Sequence, residues 1–336
     1  MIARTALLAG ALAELGLMEP RHARLVESHL LAAIQEHGTL TLSNSAQMSQ
    51  LVQWVKTGPL DATRRKRWED LLFLMSRLNR VVIREDDDSA ELVSWRGTAD
   101  IVIAESELMS TQFHRYDDPF LDPVQPSTEF SSIGSVPDSS VFAGLRLLKD
   151  TGHLAAGQTR AGFWTNVLGP LAAQARRIVL LDGYAFVPLL RRGNREPTDE
   201  SALPWLIRQL DQKNDLPRDI EIISQRSEKL GVTSARAAQA LLEDQLRLPA
   251  VGSVQSIAIT LGEHWDVAHD RHLRFSSGGL ITLGGGIDRV DFADVRDHDG
   301  LNWSYRTSAN WHPFRDAEDR TKGSRTSDKV MFSPPR

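Results

Sequence analysis

Between residues 163 and 261 the chain alternates two kinds of apolar pattern, and this constrains its fold more than any other feature. Residues 163–175, 202–212 and 235–246 space their apolar side chains at three and four, the period of a helix with one buried face. Residues 177–181, 220–224 and 254–261 are short apolar runs rich in Ile, Val and Leu, the pattern of strands buried on both faces. Strand and helix in alternation predict a mostly parallel sheet covered by helices. Residues 271–275 and 280–283, joined through Gly278-Gly279, read as a hairpin added to that sheet.

The first part of the chain is patterned differently. Residues 1–13 imitate a secretory leader, with Arg4, a short apolar run and Ala11-Leu12-Ala13. Glu14 continues one helical pattern, so the segment reads as an amphipathic first helix running to Leu17. Helical patterns follow at 21–36, at Met48 to Val55 and at Trp68 to Leu78, with strands at 39–42, 81–83, 91–95 and 100–104. An acidic turn, 85–88, separates two of them. These describe a smaller α/β or mainly helical module over 1–116.

Residues 117–138 hold Pro119, Pro123, Pro126 and Pro137 among many serines, so 117–149 reads as an acidic linker before an α/β domain over 150–315. The polar stretch 316–336, with Pro334-Pro335 near its end, reads as a flexible tail.

Charge and cysteine usage remove whole classes of function. The 336 residues include no cysteine, which excludes disulfide scaffolds, thiolate metal sites and cysteine nucleophiles and fits a reducing cytoplasm. No run approaches the roughly 18 uncharged apolar residues of a membrane-spanning helix. The net charge is −5. Residues 1–150 carry 15 Lys and Arg against 21 Asp and Glu, and the remainder 24 against 23. A polyanionic partner, if there is one, belongs on the second part.

The richest chemistry lies in His269-Asp270-Arg271-His272-Leu273-Arg274-Phe275, followed by Gly284-Gly285-Gly286-Ile287-Asp288. Side chains in a strand alternate faces, so His269 and Arg271 share the face of Leu273 and Phe275. An imidazole and a guanidinium on an apolar face need partners. Together they suit a phosphate, with histidine as nucleophile, acid or donor and arginine as a two-pronged clamp. The three glycines would let backbone N–H groups approach the same anion. The same pair equally suits a structural network that satisfies buried carboxylates such as Asp182.

Other constellations carry weaker signals. His264 and His272 fall on the strand face opposite His269, so the three do not converge on a metal, and no metal or cofactor is expected. The acidic run Asp288 to Asp299 lacks the spacing of a calcium loop and reads as a solvated turn. Arg64-Arg65-Lys66-Arg67-Trp68 reads as the wet face of a helix, with a nucleic-acid contact as the alternative. Glu69, Asp86, Asp100 and Glu105 would make a metal-dependent nuclease site only if the fold gathered them.

His-Asp-Arg, a hairpin, then Gly-x-Gly-Ile-Asp resembles the C-terminal domain of the MIT-domain proteins, a phospholipase D-like fold, over roughly 150–313. Asp182-Gly183-Tyr184 and the 219–224 strand fall in the order such a domain uses. Active phospholipase D-like enzymes carry His-x-Lys with a later aspartate, form a phosphohistidine without metal, and often pair two motifs across a dimer. Here His269 matches the nucleophile, Arg271 stands for the lysine and Ser276 for the aspartate. Arginine keeps the charge but is not equivalent to lysine.

Those departures resemble the MIT-type branch, regarded as phosphoinositide-binding and non-catalytic. The resemblance implies a mixed sheet flanked by helices, and a degenerate site binding a phosphate-bearing ligand, nucleic acid or lipid headgroup. His269, Arg271 and the Gly284, Gly285 and Gly286 backbone would hold it, with Asp182 or Tyr184 lining the site. It also implies a component of a prokaryotic anti-phage system. The alternatives are an active metal-independent phosphodiesterase or nuclease, with His269 as nucleophile and Arg271 as clamp, alone or as a homodimer, and a structural adaptor binding partner proteins through the N-terminal module.

Overall fold

A computed structural model describes residues 3–84, 92–95, 98–113, 128–147, 152–190, 200–212, 216–228, 231–267, 269, 271–296 and 300–336. The chain is mixed α/β and divides into two compact units, essentially 2–147 and 148–336. The acidic turn 85–88, most of the proline-rich stretch and Asp297 to Asp299 lie outside the described residues.

The first unit is built on a five-stranded parallel sheet. Its strands are β1 (Ala3–Leu7), β2 (Gly38–Leu42), β3 (Val81–Ile83), β4 (Ile101–Ala104) and β5 (Glu129–Ser132), in the order β3-β2-β1-β4-β5. The helices are α1 (Ala9–Leu17), α2 (Pro20–His37), α3 (Ser45–Thr57), α4 (Ala62–Arg77), α5 (Ser106–Phe113) and α6 (Ser140–Leu147). Ala6, Val102 and Ala104 of the central strands pack with Leu92, Trp95 and Ala99.

Several expectations are corrected here. The chain opens with a strand, not with one long helix, because Ala3–Leu7 is the central strand, paired in parallel with β2 and β4. A short apolar run buried on both faces cannot be told from a helix by periodicity. Leu92–Trp95 is a 3-10 turn rather than a strand, its Trp95 side chain completely buried. Residues 129–147 belong to the first unit and are not a linker. β5 pairs with β4 from Ile101↔Glu129 to Ala104↔Ser132, and Pro137 sits in the 3-10 turn Ile133–Asp138 that precedes α6. Four residues of edge strand are too short for their alternation to stand out among the serines.

The second unit carries an eight-stranded mixed sheet in the order β13-β9-β8-β7-β10-β11-β12-β6. Its strands are β6 (Gly152–Leu154), β7 (Arg177–Leu181), β8 (Arg218–Gln225), β9 (Val254–Gly262), β10 (Arg271–Phe275), β11 (Gly279–Leu283), β12 (Leu301–Thr307) and β13 (Asp328–Phe332). Helices α7 (Arg160–Phe163) and α8 (Gly169–Ala172) flank a π turn, and α9 (Val187–Leu190), α10 (Ala202–Leu210), α11 (Ala235–Gln245) and α12 (His312–Gly323) complete the unit. β7, β8 and β9 are parallel, and every other pairing is antiparallel. The strands of the alternating stretch are parallel and β10–β11 is an antiparallel hairpin, as expected, but the sheet is not mostly parallel: five of its seven pairings are antiparallel, because strands from outside that stretch flank β7 and β9.

The flexible tail is also corrected. α12 packs on the sheet, and β13 pairs with β9 from Asp328↔Leu261 to Phe332↔Ile257. The guanidinium of Arg336 reaches both carboxylate oxygens of the buried Asp211 at 3.1 Å. Composition hides this because α12 turns a carboxylate inward where an apolar residue is usual: Glu318 is fully buried.

Candidate functional site

Parallel strand β7 ends at Leu181, and the next residue, Asp182, is fully buried at the end of the sheet. Its carboxylate accepts the N–H of Tyr184 at 2.9 Å and that of Ile287 at 2.7 Å, tying the turn after β7 to the turn after β11. Burial raises the Asp182 carboxyl above its ordinary value, against the opposing pull of those two N–H groups and of Arg271. Arg271, at the start of β10, brings Nε to 3.5 Å from Asp182 Oδ1 and lays its guanidinium 5.3 Å from the ring centre of Tyr184. Tyr184 is itself 40% exposed.

Arg271 is thus held from behind by a carboxylate and from the side by an aromatic face. Arg271 takes part in a structural network with buried Asp182. His269 is different: it is exposed, and no hydrogen bond fixes its imidazole among the described residues. His269, Arg271 and Gly284 come together in the wall of a cavity of about 460 Å³.

One N–H of the glycine run is engaged within the sheet. The Gly284 N–H donates to the Asn302 carbonyl at 2.7 Å, so it serves the sheet and does not cradle an anion. Gly286 has φ +90°, and a Cβ there would lie 2.8 Å from Asp182 Oδ2 and 3.0 Å from Arg271 Cδ. A Cβ on Gly285 would meet the Arg289 side chain at 2.7 Å. These glycines let the chain close over Asp182 and Arg271. Asp182 likewise stands behind the site and does not line it.

The opposite face of β10 is structural. His272 is fully buried, its Nε2 3.0 Å from Glu318 Oε1, and Arg274 donates to the two oxygens of Glu318 at 2.8 and 2.5 Å. Burial pushes the Glu318 carboxyl up, but the bonds from Arg274 and His272 prevail and hold it at about 2. This pair of bonds fastens α12 to the sheet. Phe314 of α12 packs on the His272 ring, centroids 5.1 Å apart, and contributes to the cavity wall.

Sequence reasoning missed Arg306, Thr282 and Ser304, which line the same cavity. Their signal was present: Leu301 to Thr307 alternates apolar and polar residues, the pattern of a strand with one polar face. Ser276, expected at the place of a catalytic aspartate, lies beyond the other end of β10, where its Oγ accepts the N–H groups of Arg176 and Arg177 at 3.0 Å.

The remaining candidates disperse. Asp100 precedes β4 and pairs with Arg4 at 2.7 Å, whereas Glu105 follows that strand, Glu69 lies on α4, and Asp86 is outside the described residues. No carboxylate centre forms from the three that are described. In the basic cluster Arg64 pairs with the buried Glu27, Arg65 donates to the Val55 and Leu60 carbonyls and Lys66 pairs with Asp70. Asp291 is not part of a solvated turn: it is buried and accepts the Ala202 N–H at 2.8 Å. A larger cavity of about 720 Å³ in the first unit is lined, among the described residues, by uncharged side chains such as Leu12, Gln47, Leu51 and Trp54.

No protein-family model matches the chain, and no curated protein matches it.

Proposed function

We propose that the second unit binds a phosphate-bearing ligand in the His269–Arg271 cavity, on a phospholipase D-like domain of the MIT type, and that the site binds its ligand without cleaving it. One observation carries this reading: among the described residues the cavity wall contains His269, Arg271 and Arg306, and no Asp or Glu. Charge of one sign in a concave site favours an anion, and arginine matches a phosphate with two parallel N–H bonds. Binding is favoured over turnover because no carboxylate orients His269 among the described residues. A nucleophilic or general-base histidine is commonly set in tautomer and direction by such a partner.

Wild-type protein and His269→Ala, incubated with single- and double-stranded DNA, RNA and a bis-aryl phosphodiester in EDTA and in magnesium, test this. No turnover is expected under any condition. Cleavage that persists in EDTA and disappears in His269→Ala would make the protein an active metal-independent phosphodiesterase.

A further inference from the structure

The 720 Å³ cavity of the first unit opens at the carboxyl end of β1, where Leu7 closes the strand and Ala9 begins α1. Strand order reverses at β1, with β2 and β3 on one side and β4 and β5 on the other. In open parallel sheets the loops at such a reversal leave a crevice that ligands occupy. The volume falls in the range of sites for small organic molecules.

Leu7, Leu12 and Leu51 are buried and give the cavity an apolar floor. One polar side chain is buried with them: Gln47, in the first turn of α3, is 8% exposed. Its carbonyl oxygen accepts the N–H and the Oγ of Ser43 at 2.7 and 3.0 Å, and its amide nitrogen donates to the Leu7 carbonyl at 3.2 Å. Both lone pairs are therefore used, while one of the two amide hydrogens remains to donate. Buried donors are nearly always paired, so a fixed spare N–H in a cavity wall favours a ligand with an acceptor.

Gln50 and Trp54 follow Gln47 at three and seven positions, on the same face of α3. Trp54 packs edge-to-face on Trp68, centroids 5.5 Å apart at 81°, which holds its ring in place beside the cavity. No Asp, Glu, Lys, Arg or His lines the cavity among the described residues, although α1 carries Glu14 and α3 carries Lys56.

We propose that this cavity binds an uncharged heteroaromatic molecule of the nucleobase kind. A ring carbonyl or ring nitrogen accepts the spare N–H of Gln47, the flat ring lies between Trp54 and the leucine floor, and the Gln50 amide meets its polar edge. A charged ligand would leave water without a counter-charge, and a purely apolar one would leave the Gln47 donor unpaired. The site is independent of the phosphate-binding reading of the second unit.

Adenine, uracil and toluene, titrated calorimetrically into full-length wild type, Ala9→Phe and Gln47→Met, test it. Ala9 is exposed, so a phenylalanine there narrows the mouth without entering the core. Wild type is expected to bind at least one base saturably and more tightly than toluene. Ala9→Phe is expected to weaken that binding about tenfold or more, and Gln47→Met about three- to tenfold, the worth of one hydrogen bond. Melting temperatures establish that both variants are folded, and should Gln47→Met unfold, Ala9→Phe and the comparison with toluene still decide. No saturable binding of either base, toluene bound as tightly as the bases, or base binding unmoved by Ala9→Phe overturns the inference.

Discussion

Arg271 holds its guanidinium nitrogen 3.5 Å from the carboxylate of Asp182, which has no exposure to solvent. That carboxylate also collects the N–H groups of Tyr184 and Ile287, so one side chain fixes the arginine and the two turns beside it. Removing it leaves a partly buried cation and two N–H groups without their acceptor. Asp182→Ala is expected to cost about 3–5 kcal/mol, the usual penalty for breaking a buried pair from one side. Asp182→Asn, which keeps an acceptor, should cost less. Denaturant unfolding of the two variants checks the order, and equal losses would remove the charge from the explanation.

Gly286 stands at φ +90° and ψ 173°, backbone that essentially only glycine adopts, with Asp182 in the space of its missing Cβ. Gly286→Ala is expected to destabilise by about 1–3 kcal/mol. It should also weaken phosphate binding by displacing Arg271, read as a raised dissociation constant under conditions where the variant remains folded.

Glu318 gives the fold a signature in acid. Its folded pKa is about 2 against an ordinary 4.5, so its stabilisation is present above the unfolded value and lost as pH falls from 4.5 towards 2. The difference corresponds to about 3 kcal/mol at neutral pH. Asp182 works in the opposite sense: its raised pKa favours the folded state at low pH and that contribution is lost as pH rises. The contrast between wild type and Glu318→Gln therefore isolates the first. It should shrink between pH 5 and pH 2, measured as the difference in unfolding free energy.

β13 and Arg336 make the end of the chain part of the second sheet. Truncation after Gly323 would expose the edge of β9 and take the Arg336 guanidinium from buried Asp211. A fall in melting temperature of more than about 4 °C is expected, equivalent to over 1 kcal/mol in a unit of this size. An unchanged melting temperature would show that this segment does not stabilise the fold.

The β10–β11 hairpin and the parallel strands before it were legible because their apolar residues keep a regular period. His269 and Arg271 line one cavity, but β10 begins only at Arg271, so strand parity does not account for His269. Other parts were masked by physical causes that composition does not register. β1 carries no polar alternation because neighbours cover both its faces. α12 reads as a tail because its inward group is a charged Glu318, which makes sense only beside Arg274 and His272, more than forty positions earlier. Gly284 offered an N–H to a ligand until β12 supplied the Asn302 carbonyl that takes it. Arg306 entered the site only through the register of β11 with β12.

The most direct test is a calorimetric titration of inorganic phosphate into full-length wild type and His269→Ala at low salt. His269 is exposed and forms no hydrogen bond or ion pair among the described residues, so its loss should leave the melting temperature unchanged. Saturable binding to wild type, weakened about tenfold in the variant, is the predicted result. Equal binding to the two proteins, or none to wild type, would contradict a phosphate site at His269 and Arg271.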